Sequence, residues 1–289
     1  AATGSTFPNV ARGQLENLPW PNEISGSEEQ INNIARNLGD KIELNRQTNE
    51  TLEAMAQAIF KDWFVDFGPL TRKLSGTTDP VKVLSGLIPD PKKAPPIAAL
   101  FPDNFGDDGL PKGWVYQTLQ DILTLSYGKS LPKRSRIPGQ FPVYGSGGNN
   151  GSHNASLVNG PGIIIGRKGT VGSLYWENED FFPIDTVFYV QPEPGFSLVY
   201  IWHLLKTLGL EKMNTDAAVP GLNRNNAYRL EIPKSSDELV KAYSDLCQPL
   251  RDKINANQSE NETLAETRDY LLPRLMSGEV RVTDIDEAA

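Results

Sequence analysis

One stretch of the chain is written twice, and this repetition constrains the fold more than any other feature. Residues 40–52 read DKIELNRQTNETL, and residues 252–264 read DKINANQSENETL, 212 positions later. A constant offset over a long stretch indicates one duplicated unit, because solenoid repeats have much shorter periods. The same offset also aligns Pro21 with Pro233, Leu18 with Leu230, Arg12 with Arg224 and Pro8 with Pro220.

Both copies carry seam residues at a spacing of seven, which predicts long helices that pack along a coiled-coil seam. In the first copy one series runs from Ile31 to Ile59, and a second runs from Ala35 to Trp63. The second copy repeats both series at the same offset. A helix of about 40 residues would be ~60 Å long at 1.5 Å per residue.

Two seam positions in each helix are asparagines, namely Asn45, Asn49, Asn257 and Asn261. A buried amide weakens an apolar seam, but it pairs only with another polar group and so fixes register and partner. Antiparallel packing of the two helices would bring the first pair of asparagines next to the second pair. The alternative is that these positions are partly solvated.

Proline and glycine predict where the helices end. Pro249 predicts a kink or a restart in the second helix, and Gly278 predicts its end. Residues 68–113 are rich in Pro, Gly and Asp, which favours an extended linker.

Composition predicts a soluble, folded protein without a membrane span. The net charge is −8, with 38% hydrophobic residues. The acidic excess lies in the helical segments, since residues 24–66 and 235–289 have net charges of −4 and −6, while residues 114–234 have +2.

One cysteine, Cys247, fits a reducing cytoplasm, and His153 and His203 are too isolated to predict a metal site.

The segment between the two helices predicts a globular α/β domain. Strand-like runs such as GIIIG and FFPIDTVFYV alternate with turns, and SLVYIWHLLKTLGLEKM predicts an amphipathic helix that ends near Gly209. Two nucleotide-binding patterns fail: YGKS lacks the earlier glycine because Leu123 occupies that place, and GSGGNNG has Asn150 where the last glycine of the dinucleotide pattern would stand. No catalytic motif is present, so the sequence predicts no catalysis by this chain.

Polar and basic loops of the central segment are instead candidates for DNA contacts, since arginine and asparagine read base edges while lysine binds phosphate. The alternative is that they are ordinary solvated loops. For Arg224 a further alternative is a structural salt bridge shared with Arg12 of the other copy. The candidates are Lys129, Lys133, Arg134, Arg136, Tyr144, Ser146, Asn149, Asn150, Arg167, Lys168, Thr170, Asn223 and Arg224.

The whole layout resembles the specificity subunit of type I restriction-modification enzymes. Segments that carry the resemblance are NETLEAMAQAIFKDWFVDFGP, LPKGWVYQTLQDI, IIIGRKGTVG and NETLAETRDYLLPRLMSGEV. A complete member of that family has two target-recognition domains. The chain is therefore expected to be either a half-sized subunit or a chain that lacks its first recognition domain.

The resemblance implies an α+β fold, with one target-recognition domain and two long helices in an antiparallel coiled coil. The domains expected from it are a closing strip at 1–23 that belongs to another recognition domain, helix one at 24–67, a linker at 68–113, the recognition domain at 114–234, helix two at 235–279 and a tail at 280–289.

The resemblance also implies a function without catalysis by this chain. Each recognition domain would read half of a split DNA target, and methyltransferase and restriction subunits would dock on the helices. S-adenosylmethionine, ATP and Mg would be bound by those partner subunits. A half-sized subunit would act as a homodimer on a split palindrome. The competing hypothesis is a coiled-coil scaffold, or an inactive or inhibitory interaction protein.

Overall fold

The computed structural model describes residues 28–88, 90–213 and 221–282. The closing strip predicted at 1–23, with Pro8 and Arg12, lies outside these residues, and so do residues 283–289 of the predicted tail. The chain divides into two compact units. One unit comprises residues 1–51 and 253–289, and the other comprises residues 52–252.

Two long helices are present, as the spacing of seven predicts. Helix α1 spans Glu28–Phe64 with 37 residues, and helix α7 spans Asp237–Ser277 with 41 residues. Each contributes residues to both units. Among the described residues, no helix combines the length and the apolar character that crossing a membrane would require.

In the unit of residues 1–51 and 253–289, the two helices run antiparallel along the predicted seam. Ile31, near the start of α1, packs with Leu275, near the end of α7. Ile42 and Ile254 are also buried. The residues on either side of the seam positions are mostly exposed, so the apolar stripe of each helix is covered by the other helix.

The asparagines pair across this seam in the way that antiparallel packing predicts. Asn45 Nδ2 donates to Asn261 Oδ1 at 2.9 Å, and Asn257 Nδ2 donates to Asn49 Oδ1 at 2.8 Å. The offset of 212 converts the first pair into the second, so the two bonds are related by the internal duplication. Asn45 and Asn257 are 3% and 1% exposed, so partial solvation applies only to their two partners.

A polar seam pair predicts a specific pattern of stability changes. Replacing Asn45 with leucine is expected to lower the free energy of unfolding by about 1–2 kcal/mol, because Asn261 then loses its donor. The double variant Asn45→Leu/Asn261→Leu is expected to recover most of that loss, since two apolar groups replace the pair. Urea unfolding measures both changes, with Arg46→Ala on the exposed face as the control. If the double variant instead lost the sum of the two single-variant losses in the free energy of unfolding, the pairing of the two asparagines would be contradicted.

Helix α7 continues through Pro249, so the predicted restart does not occur. Proline cannot donate the backbone hydrogen bond of an interior helical position. Buried seam residues on both sides, Tyr243, Cys247 and Ile254, hold the helix against its neighbours despite this loss. The predicted end is confirmed, since the helix stops at Ser277 and Gly278 follows with φ +76°.

The described residues of the unit 52–252 form nine strands in three small sheets. The strands are β1 Val115–Thr118, β2 Leu123–Tyr127, β3 Phe141–Gly145, β4 Gly148–His153, β5 Gly162–Gly166, β6 Leu174–Glu177, β7 Phe182–Pro183, β8 Val187–Pro192 and β9 Glu231–Lys234. A four-stranded antiparallel sheet has the order β2-β8-β5-β6, a three-stranded sheet has the order β4-β3-β7, and β1 pairs with β9.

The helix predicted after β8 forms, but it is more deeply buried than an amphipathic helix. This helix, α5, spans Leu198–Thr207. All residues from Val199 to Leu205 are buried. Ser197 caps its first turn by accepting from Tyr200 N, and Gly209 follows with φ +63°. A helix α6 spans Arg224–Tyr228 just before β9.

The prediction of an extended linker at 68–113 was wrong. Three short helices form there, α2 Gly68–Leu74, α3 Pro80–Val83 and α4 Ala94–Ala98. The prolines begin helices instead of preventing them, because proline fits the first turn, where its missing N–H is not needed. Phe101 then packs its ring 5.3 Å from that of Trp63, so this segment belongs to the core.

The two ends of the central domain meet in one antiparallel ladder. Val115 of β1 lies opposite Lys234 of β9, and Thr118 lies opposite Glu231. The nearby Trp114 and Ile232 are buried in the core of the same unit. The domain therefore closes on itself within residues 114–234.

Candidate nucleic-acid interface

Four segments that are far apart in the sequence converge at one end of the four-stranded sheet. Backbone hydrogen bonds join Lys129 N to Pro183 O at 3.1 Å, Arg167 N to Thr186 O at 2.9 Å and Leu222 N to Arg167 O at 2.8 Å. The four segments, 127–129, 167–170, 184–186 and 221–224, are called the convergent loops below. They carry four cations and a single acid: Lys129, Arg167, Lys168, Arg224 and Asp185.

Tyr127 lies at the centre of the convergent loops and brings two predicted arginines together. The guanidinium of Arg167 lies 4.7 Å from the centre of the Tyr127 ring, and that of Arg224 lies 4.9 Å from it. Contacts of this kind are attractive because the face of an aromatic ring is electronegative. The tyrosine is 46% exposed, so this basic centre is accessible to solvent.

Glycines permit this close approach of backbones. A side chain at Gly128 would place its Cβ 2.1 Å from the carbonyl oxygen of Ile184, so only glycine fits between the two segments. Gly169 has φ +82°, a left-handed conformation that turns the chain between Lys168 and Thr170. Both flanking residues are exposed at this turn.

A second group of predicted residues lies beside strand β4. Arg136 donates from Nη1 to the carbonyl oxygen of Asn150 and from Nε to that of Leu131, the latter at 3.3 Å. It thus ties the segment before β3 to the β3–β4 hairpin. Lys133 and Arg134 are exposed, and Asn149 caps the hairpin by accepting from Gly151 N at 3.0 Å.

Two candidate residues have internal roles instead of open side chains. Tyr144 is 8% exposed and donates to Glu177 Oε2 at 2.8 Å; burial and the adjacent Glu177 carboxylate raise its pKa well above the usual value. Asn223 uses its side-chain oxygen to cap α6, accepting from Asn225 N and Asn226 N. The backbone N–H of Ser146 donates to Thr186 Oγ1, with 3.3 Å between nitrogen and oxygen, and this bond anchors the segment around Ser146.

Arg224 forms no ion pair with any described residue, so the structural salt bridge considered for it is not seen within this part of the chain. Its Nε is buried and has no acceptor among the described residues. Among the described residues, the guanidinium contacts two rings, since it lies 5.8 Å from the centre of Tyr228 as well as over Tyr127. Tyr228 is itself fixed, because its hydroxyl accepts from Leu125 N at 2.8 Å.

A buried charge cluster inside the unit of residues 52–252 was not predicted. Glu53 accepts from Trp202 Nε1 at 2.6 Å and from Lys206 Nζ, and it lies 3.5 Å from His203 Nε2 and 3.8 Å from Arg251 Nη1. Burial alone would raise the pKa of the Glu53 carboxyl, but the adjacent His203 and Lys206 side chains outweigh it and lower that pKa to about 2. Arg251 also stacks 4.7 Å from the Trp176 ring.

This cluster joins α1, α5 and α7. His203 Nδ1 lies 2.9 Å from Val199 O and 2.8 Å from the hydroxyl of Tyr243, which donates to Ala56 O at 3.0 Å. No local sequence pattern predicts the cluster, since Glu53 is separated from Trp202 by 149 positions. Among the described residues, no three His, Cys, Asp or Glu side chains are arranged to hold a metal ion.

Comparison with known proteins gives one consistent result. A family model described as the type I restriction modification DNA specificity domain matches residues 111–235. The chain is 26% identical over 335 residues to the type I restriction enzyme HindI specificity subunit of Haemophilus influenzae, with 95% of this chain and 72% of that protein covered. It is 25% identical over 306 residues to the MjaIX specificity subunit of Methanocaldococcus jannaschii, with 98% and 65% covered.

A solved structure shares the fold. The S subunit of the type I restriction-modification system from M. genitalium superposes with a TM-score of 0.54 at 22% sequence identity. That match covers 95% of this chain and 67% of the solved chain, so this chain spans about two thirds of that subunit's length. The matched domain coincides with the segment that β1 and β9 close. Over nearly its whole length the chain is therefore similar to type I restriction enzyme specificity subunits, and residues 111–235 match the family model of their DNA specificity domain.

Proposed function

We propose that this chain is a DNA sequence-recognition subunit of a type I restriction-modification complex, reading half of a bipartite target without catalysis of its own. The observation that carries the proposal is that Arg167 and Arg224 lie over the exposed Tyr127 ring, while Lys129 and Lys168 lie on the same convergent loops. Clustered cations supply the phosphate attraction that DNA binding requires. Arginine in such a cluster also supplies contacts to base edges.

The charge distribution supports a division of labour between the domain and the helices. Residues 114–234 have a net charge of +2, while residues 235–289 have −6. An acidic helical surface repels DNA phosphate and suits protein partners. We propose that methyltransferase subunits, and restriction subunits with them, dock on the helices. S-adenosylmethionine, ATP and Mg would then be held by those partners.

The antiparallel seam supports a role in measuring distance along DNA. The two asparagine pairs fix the register of one helix against the other. A fixed register holds whatever each end carries at a constant separation, so the gap between two half-targets becomes part of the specificity. A half-sized subunit with a single recognition domain would act as two copies that read a split palindrome.

Mapping methylated adenines in DNA treated with this chain and its cognate methyltransferase subunits tests the proposal. The expected motif is split and symmetric, with a gap of constant length. An asymmetric motif would rule out the two-copy arrangement while retaining DNA recognition. Absence of any methylated motif, with no preference among duplexes in binding, would reject the recognition function itself.

The competing proposal of a coiled-coil scaffold has the seam in its favour. It gives no reason for two arginines to lie over one exposed ring, with two lysines on the same convergent loops. A pull-down with target DNA and methyltransferase separates the two proposals, because a scaffold retains the methyltransferase but adds no affinity for DNA.

Loss of a single cation from the convergent loops is expected to weaken DNA binding. Arg167→Ala should reduce affinity for the target about tenfold or more, because it removes a base-reading group and its charge. Lys168→Ala should weaken binding to all sequences alike and reduce the salt dependence by about one counterion. Titration of labelled duplexes at several salt concentrations measures both effects. Lys241→Ala removes a cation that is paired with Asp245 on α7 and serves as the control.

A further inference from the structure

We propose that Tyr127 is a positioning residue that orients Arg167 and Arg224 to read guanine, so that the half-target of this chain contains guanine read in the major groove. The inference rests on the proposed function and adds to it both a residue and a base. Tyr127 was not among the candidates for DNA contact. The structure assigns it this role because both guanidinium groups lie over its ring.

The ring contacts restrict where each guanidinium can lie. Arg167 faces two adjacent rings, 4.7 Å from the centre of Tyr127 and 5.7 Å from that of Phe188. Arg224 lies 4.9 Å from the centre of Tyr127 and 5.8 Å from that of Tyr228. A guanidinium is a planar fork, and its two-donor edge can face a planar acceptor only when that plane is held.

The rings around Tyr127 are themselves anchored. Tyr127 packs its ring 5.0 Å from that of Phe188, which is fully buried in β8. Tyr228 is fixed through its hydroxyl to the backbone of β2. The orienting surfaces are therefore built on strands, so little side-chain entropy remains to be lost when a base binds.

Within the described part of the chain, few donors of either arginine are used. Arg167 donates from Nη1 to the carbonyl oxygen of Asp185 at 3.0 Å. Arg224 donates no side-chain hydrogen bond to any described residue, although its Nε is buried. A buried polar group without a partner is costly, and a ligand with acceptor atoms removes that cost.

Guanine fits this arrangement better than phosphate does. Its O6 and N7 are two acceptors in one plane, and bidentate arginine is the commonest specific contact to them. A phosphate accepts from many directions, so the exposed lysines at 129 and 168 serve it without any stacked ring. The ring would be superfluous if these arginines only neutralised the DNA backbone.

The first test uses the wild-type chain with its methyltransferase subunits and changes only the DNA. Each guanine of the methylated half-target is replaced, one at a time, by 7-deazaguanine, which lacks the N7 acceptor. At least one position is expected to lose affinity about tenfold, a magnitude typical of a lost specific base contact. Arg167→Lys or Arg224→Lys is then expected to abolish that penalty, because a lysine keeps the charge but has no fork.

The second test addresses Tyr127. Tyr127→Phe keeps the ring and is expected to bind within about twofold of wild type, whereas Tyr127→Leu is expected to reduce the ratio of specific to non-specific affinity at least fivefold. The affinity for non-specific DNA should be equal in both variants, whereas a misfolded variant would lose affinity for all DNA. Circular dichroism confirms that both are folded.

Two results would overturn the inference while the proposed function stands: a half-target insensitive to loss of N7, or a penalty that persists in both lysine variants. Equal specificity ratios in Tyr127→Phe and Tyr127→Leu would remove Tyr127 from the mechanism. A complex that prefers no duplex sequence would reject the proposed function, and this inference with it.

Discussion

Replacing Glu53 with alanine is expected to lower the free energy of unfolding by about 2–4 kcal/mol, the largest effect of any single polar substitution proposed for this chain. The carboxylate accepts from Trp202 and Lys206 and lies 3.8 Å from Nη1 of the buried Arg251. Removing it takes a negative charge away from two nearby cations and leaves the Trp202 indole N–H without this acceptor. Glu53→Gln should lose less, because its amide oxygen still accepts from Trp202.

The same carboxylate makes stability depend on pH in a defined direction. The pKa of Glu53 is lowered from 4.5 to about 2 in the folded chain. A carboxyl group whose pKa is lower in the folded state than in the unfolded state stabilises the fold at pH values above its unfolded pKa. This stabilisation is lost as the pH falls through the folded pKa. The wild-type chain should therefore lose this contribution between about pH 4.5 and pH 2, and Glu53→Ala should not.

Urea unfolding at pH 7 and at several acidic values measures both effects. Asp245→Ala is the matched control, because its exposed pair with Lys241 on the same helix is expected to contribute less than about 1 kcal/mol. A loss below about 1 kcal/mol for Glu53→Ala would contradict the structural role assigned to the cluster, as would parallel acid profiles for wild type and variant.

Exchange of residues 114–233 for the matching domain of another family member is expected to replace the methylated sequence completely. Both ends of the segment lie in the β1–β9 ladder, so the exchanged domain brings its own closing strands. The donor must keep apolar residues where Trp114 and Ile232 enter the core. Methylated-adenine mapping measures the result.

A segment outside the exchanged domain gives the control. Exchange of residues 68–98 alters α2, α3 and α4 but leaves every convergent loop in place, so the motif should be unchanged. A donor domain that leaves the original motif unaltered would refute the assignment of recognition to residues 114–233.

The helical part of the fold was predictable because one observation determined it. A period of seven places Asn45 and Asn49 on a seam, and the duplication places Asn257 and Asn261 on an equivalent one. Polar groups in an apolar seam pair with one another, so antiparallel packing of the two helices was expected to bring the two pairs of asparagines together. Hydrogen bonds of 2.8 and 2.9 Å confirm that argument.

Other features depended on long-range packing that local patterns do not report. Tyr144 lies in a loop-like sequence but turns inward to Glu177, and the prolines of residues 68–98 begin helices that a linker would not contain. Tyr127 could be placed beside basic residues from the sequence. Its position between Arg167 and Arg224 required the strands that bring residues about 40 and 97 positions away onto one ring.

The duplicated helices are similar but not identical in sequence, so the seam between them is not symmetric. Lys41 pairs with Glu260 at 3.2 Å beside Asn45. The duplication maps that pair onto Lys253 and Thr48, where a neutral hydroxyl stands in place of the carboxylate. Two identical proteins that packed against the two related faces of this helix pair would therefore meet different side chains, Lys41 and Glu260 on one face and Lys253 and Thr48 on the other.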